Sequence, residues 1–174
     1  ESTVSVEFEV RADPRSSASP EDLQAQFDFA LGINQKLTAT HQAISRLRQA
    51  RSQVNTVAER IGDHDADSPL VANAESLTSQ LDEIEKALYQ TRLEARQDPL
   101  NFPIRLNDKL AGVMFGAAFG DNPPTASAIA VRDELFAAID GQLEQLNTVL
   151  GTELDAFNQK VAEMALPAVD IPAE

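Results

Sequence analysis

From Leu70 onward the seam positions recur at alternating steps of four and three: Leu70, Ala74, Leu77, Leu81, Ile84, Leu88, Thr91 and Ala95. That spacing lines one face of a helix lying lengthwise against other helices, and a strand, with its period of two, cannot present it. Two longer patterns flank it. The first runs Leu23, Ala30, Ile33, Leu37, Thr40, Ile44, Leu47, Val54, Ala58 and Ile61, with Arg51 on the same seam. The second runs Val131, Leu135, Ile139, Leu143, Leu146, Leu150, Leu154, Phe157, Val161 and Met164. A chain with three such seams has to bury them against one another, so the fold class is all-α.

The boundaries of these helices are written in their caps. Ser19-Pro20 with Asp22 three residues after the serine is a capping box with proline in the first turn. The first helix is expected to run from there to Gly62, roughly 63 Å at 1.5 Å per residue. Ser68-Pro69 repeats the start for a second helix of about 28 residues. Pro99 and Pro103 cannot sit inside a helix, so residues 97–102 form a connection and Pro103 opens a third helix with Leu106, Leu110, Val113 and Ala117 inward. Gly120 ends it, "DNPPT" turns the chain, and Thr125 caps a fourth helix reaching Leu166-Pro167. The expected architecture is an antiparallel up-down four-helix bundle over residues 16–166. It has two long outer helices and two shorter middle ones, and residues 167–174 form an extended tail.

Charge adds an expected register. The chain carries 14 Lys and Arg against 28 Asp and Glu, a net charge of −14. The first helix holds Lys36, Arg46, Arg48, Arg51 and Arg60, while the last holds mostly acid, including Asp133, Glu134, Asp140 and Glu144. In an up-down bundle these two clusters would face each other, and the ends of the two long helices would protrude as a two-helix stem. Arg51 is expected to reach a carboxylate on a neighbouring helix. So acidic a surface repels nucleic acid and anionic lipid, which makes both poor partners. No apolar run is long enough for a membrane span, and no signal peptide is visible.

Residues 3–11, "TVSVEFEVR", behave differently. Val4, Val6, Phe8 and Val10 fall on one face, and Thr3, Ser5, Glu7, Glu9 and Arg11 on the other. This is a half-buried strand, and nothing else in the chain matches it. A lone strand cannot bury its apolar face. Residues 1–15 are therefore expected to be the final strand of an upstream β domain with its linker, or else an arm laid against the helices or against another copy. The chain begins at Glu1 rather than Met, in keeping with a fragment or a processed protein.

Catalytic constellations are missing from the sequence. Neither histidine, His41 nor His64, has a plausible serine nucleophile close by. There is no Cys. Asp63, Asp65 and Asp67 match the first ligands of an EF-hand loop, but Ser68 replaces its glycine and Ala74 its bidentate glutamate. Their alternative role is to favour the following helix through its dipole. No Glu-x-x-His pair of the ferritin-like kind is present. "FGAAFG" lacks the lysine and strand of a phosphate loop. No metal or cofactor is expected, and the chain does not read as an enzyme.

The order of features, "VEFEVRADPR", "SPEDLQAQFDFAL", "QDPLNFPIRLNDKLAGV" and "LDAFNQ", resembles the C-terminal helical region of bacterial exported proteins with sortilin-like, BNR-repeat β-propellers, often described as glycosyl hydrolases. The likeness covers residues 1–165, and "PLNFPIRLN" is its most specific part. It implies an exported protein whose propeller carries any chemistry and whose helices form an appended bundle; no catalytic residue carries over. Within the corner, Leu100 and Phe102 are expected to plug the open end of the core, with Asn101 capping the third helix and Asn107 reaching a neighbouring backbone. Phe102→Ala would then cost about 3–5 kcal/mol. A second use of the corner is a docking surface made by Asn101, Phe102 and Arg105. Two functions follow: a non-catalytic accessory domain bracing the upstream domains of its own chain, or an oligomerisation or partner-binding module.

Overall fold

The computed structural model describes residues 3–11 and 13–164. The expected tail at 167–174 lies outside them. The described residues are helical, with α1 at Pro20–His64, α2 at Pro69–Leu88, α3 at Leu106–Ala117, α4 at Ala126–Thr148 and α5 at Leu154–Glu163. A π-helical turn, Val149–Glu153, joins α4 to α5 without a break, so the chain builds four helical pieces.

Their ends follow local chemistry. The Ser19 hydroxyl accepts from the Asp22 amide, and the Asp22 carboxylate accepts from the Ser19 amide, so the capping box at the start of α1 is complete. Thr125 accepts from the Ala128 amide and caps α4. α1 runs two residues past Gly62, and Asp65 closes it by donating its amide to the Ile61 carbonyl. Gly120 stands at φ +78° in the turn after α3, a conformation that favours glycine.

Cross-helix contacts determine the topology. Arg48 and Arg51 on α1 meet Glu85 and Asp82 on α2, an antiparallel pairing. Gln26, near the start of α1, donates to the carbonyls of Ala117 and Gly120 at 2.9 and 2.8 Å, so the end of α3 lies there. Gln90 donates to the Pro103 carbonyl at 2.8 Å, joining the end of α2 to the approach of α3. α2 and α3 therefore descend one after the other along α1. The last piece climbs back beside α1. Arg132 lies over the Phe29 ring, Lys36 bonds Asp140 at 2.6 Å, and Val54 shares a groove with Phe157. α1 and α4–α5 are thus parallel, with α2 antiparallel to both; Gln80 on α2 donates to Glu153 at 2.6 Å.

This corrects the up-down-up-down expectation. The bundle is three rods thick, and its middle rod is broken at the proline corner. The third helix does not reverse, because the corner hands the chain onward rather than back. Two consequences follow. The guanidinium groups of Arg48 and Arg51 face the carboxylates of α2, not those of α4. No two-helix stem forms, because the start of α1 and the end of α5 lie at opposite ends of the molecule.

The core is one continuous cluster. It takes Ile33, Leu47, Val54 and Ile61 from α1, every buried apolar residue of α2 from Leu70 to Leu88, Leu110 from α3, and Ile139, Leu146, Val149 and Phe157 from the last rod. The π turn lies between Leu146 and Leu154 of that rod's seam. The Leu154 amide bonds the Val149 carbonyl, five residues back, and Val149 rather than Leu150 becomes fully buried. α2 stops at Leu88, short of the seam's continuation, and Thr91 and Ala95 are exposed.

Residues 3–11 do not form the expected strand. A strand exists only in a ladder, and the described residues contain no second one. Val4, Val6, Phe8 and Val10 are instead 80–86% exposed.

Candidate functional site

The corner at residues 89–105 is tied together by Asp98. Its carboxylate accepts the amides of Glu94 and Ala95, each at 2.6 Å, and these bonds hold its pKa below the usual carboxylate value. Its carbonyl accepts the amides of Asn101 and Phe102, both at 2.9 Å, over a single 3-10 turn at Asp98–Leu100. Phe102 is half-buried, and the Arg92 guanidinium stacks 4.1 Å from its ring centre. Leu100 is 84% exposed, so it plugs nothing. Asn101 is exposed and does not cap α3; the N-cap position is Arg105, without a side-chain bond. Arg105 is half-buried, and its Nε has no hydrogen-bond partner among the described residues. Asn107 is buried, its Oδ1 is likewise unpaired, and its amide reaches only Asp108, at 3.4 Å. Asn101 and Phe102 are thus neighbours on the turn, while Arg105 lies at the mouth of α3. Phe102→Ala should cost about 1 kcal/mol, the loss of one stacked cation and a half-buried ring, not the larger cost of a core plug. A urea titration of both proteins measures it.

One turn before the corner lies the strongest polar cluster. Glu85 is buried, its side chain 3% exposed, and receives Arg48 Nε at 2.6 Å on one oxygen and Arg51 at 2.6 Å on the other. Arg51 also bonds Asp82. Burial alone would disfavour the Arg51 charge, but hydrogen bonds and attraction from Glu85 and Asp82 outweigh it and raise its pKa. The expectation that Arg51 would find a carboxylate on a neighbouring helix is met. Arg48 also stacks over Tyr89, and beside them an open groove of about 420 Å³ includes His41, Ser45 and Gln49. With both Glu85 oxygens held by guanidinium donors, the cluster clamps α1 to α2.

Asp63, Asp65 and Asp67 lie at the α1–α2 turn. Asp65 accepts the Asp67 amide at 3.2 Å and so shapes the turn. Among the described residues there is no cluster of three or more His, Asp or Glu placed to hold a metal ion.

The most unusual surface is at the other end of the molecule. Around the start of α1, the end of α3 and the start of α4, large apolar side chains stand in the open. Phe27 is 59% exposed, Phe115 69% and Phe119 74%, while Leu31, one turn on from Phe27, and Val131, on the groove with Phe119, are less so. The Phe115 and Phe119 rings pack edge to face, 5.4 Å between centres. Phe119 borders an open groove of about 450 Å³ between α3 and α4, floored by Gly112, Gly116 and Pro123, and no charged residue lines it. The three phenylalanines lie off the inward stripes, while Val131, expected on the seam, is 44% exposed. The signal was available in "MFGAAF": Phe115 and Phe119 are four apart, on a face different from that of Leu106, Leu110, Val113 and Ala117. No helix among the described residues is long and apolar enough to cross a membrane. No family model, curated protein or solved structure matches this chain.

Proposed function

We propose that this chain is a non-catalytic helical accessory domain that braces or orients a β-rich domain preceding it. The observation carrying this reading is the segment Thr3–Arg11. It alternates with strand period and holds Val4, Val6, Phe8 and Val10 in solvent at 80–86% exposure. An alternating segment of this kind finds its partner at a sheet edge. The resemblance to the helical region that follows sortilin-like, BNR-repeat β-propellers supports the same reading, and with it an exported protein. The clamped ion cluster and the continuous core suit a rigid support.

Light scattering over a wide concentration range tests the proposal. The expected result is a monomer throughout, with melting unchanged after deletion of residues 1–12, because the side chains of Thr3–Arg11 are exposed. A stable dimer that dissociates on that deletion would overturn it in favour of an assembly module.

A further inference from the structure

We infer that the phenylalanine-bearing end of the bundle is the seat for that preceding β-rich domain, an inference that rests on the reading just given. Three observations converge on this end. First, the exposed large apolar residues of the helices are unevenly distributed. Apart from Leu100 and Ile104 in the corner, they lie on the first turns of α1, on the last turn of α3 or in the turn just after it, or on the first turns of α4. An apolar patch gathered at one end of a polyanion marks an interaction site. Second, the connection to Thr3–Arg11 leaves from this same end. Residues 11–19 span at most about 30 Å when fully extended. Their reach is shorter here, because the Ser16 amide bonds the Asp13 carbonyl, Arg15 folds back onto the Asp13 carboxylate, and Ser16, Ala18 and Ser19 are partly buried. Gln26, about 9 Å along α1 from Pro20, already touches the carbonyls of Ala117 and Gly120. A sheet that takes up Thr3–Arg11 is therefore kept within a short reach of the Phe115–Phe119 face. Third, the groove has no charged lining in a chain that is 24% charged. It suits an apolar sheet face or loop and disfavours a basic peptide or a nucleic acid.

The partner is thus specified by its chemistry. It is a β-sheet domain with a free edge for residues 3–11 and an apolar surface within a short tether of that edge. The seat fixes its orientation, since a strand alone would leave it swinging on the linker.

Hydroxyl-radical footprinting read by mass spectrometry tests this. The probe residues are Phe8 in the segment and Phe27, Phe115 and Phe119 on the end face. The 174-residue chain is compared with a polypeptide extended upstream to include the proposed β-rich domain. The expected result is a several-fold slower oxidation of all four in the longer polypeptide. Protection of Phe8 with Phe115 and Phe119 as reactive as before would overturn the seat while leaving the brace intact. Protection of none would overturn both. Protection that arises in the 174-residue chain on concentration alone would assign the face to a second copy, and also overturn the seat. As a second arm, Phe115→Ser with Phe119→Ser should speed proteolysis between residues 11 and 19 of the longer polypeptide several-fold without shifting the melting of the helices. Unchanged proteolysis counts against the seat.

Discussion

Replacing Arg51 with alanine should lower the unfolding free energy by about 3 kcal/mol, the low end of the range for breaking a buried ion pair. The carboxylate of Glu85 is almost wholly withdrawn from water and shares its two oxygens between Arg48 and Arg51. Arg51 is the more enclosed of the two partners, with 27% of its side chain exposed against 49% for Arg48. Its loss leaves Glu85 with one half-solvated cation and removes the only bond to Asp82 that the cluster makes. The remaining Arg48 keeps the penalty from the top of the range. Arg51→Met with Glu85→Leu should recover most of the loss, because an apolar replacement of the pair leaves no charge stranded. Urea midpoints of the three proteins at equal slope measure this. A shift below about 0.5 kcal/mol for the single variant, the size of an ordinary surface change, would mean that water reaches Glu85 unaided.

Phe157→Ala should cost about 3–5 kcal/mol, the usual range for truncating a buried phenylalanine. Phe157 is 4% exposed and fills the space between Val54 of α1 and Leu77 of α2. It stands just beyond the π turn, so its position depends on that wider turn. Phe119→Ala is the control: with 74% of the residue in solvent, its effect should stay within about 0.5 kcal/mol. Thermal and urea unfolding of both variants provide the comparison. Equal losses at the two positions would contradict the parallel packing of α1 and α5.

Helix existence was legible because apolar period and caps are local. Ser19, Asp22 and Thr125 do what their residue types suggest. Ser68 does not: it is buried at the N-cap position of α2 but makes no side-chain capping bond, so the same Ser-Pro pair caps with its hydroxyl in one place and not in the other. The end of α2 was illegible because the seam continues past Leu88 on paper. There Gln90, buried, bonds a carbonyl of the corner thirteen residues on, and a periodicity argument cannot register such a contact. Topology was illegible for a related reason. Opposite charge bias on two helices says that they attract, yet the acid on α2 competes for the same arginines, and Asp82 with Glu85 wins them. Lys36 on α1 does bond α4, at a register that fits only a parallel pairing. The candidate seat was hidden because inward stripes draw attention away from phenylalanines that face out.

An odd number of rods has a mechanical consequence. A bundle with an even number returns the backbone to its starting end and behaves as a clip hung from its neighbour. Here the path traverses the long axis three times, so the polypeptide enters at Pro20 and leaves near Glu163 at the opposite pole. At 1.5 Å per residue α1 alone measures roughly 65 Å. The first residue of α1 and the last of α5 are therefore separated by nearly that length. Lengthening all three rods by two turns would add about 11 Å to that separation without altering either end.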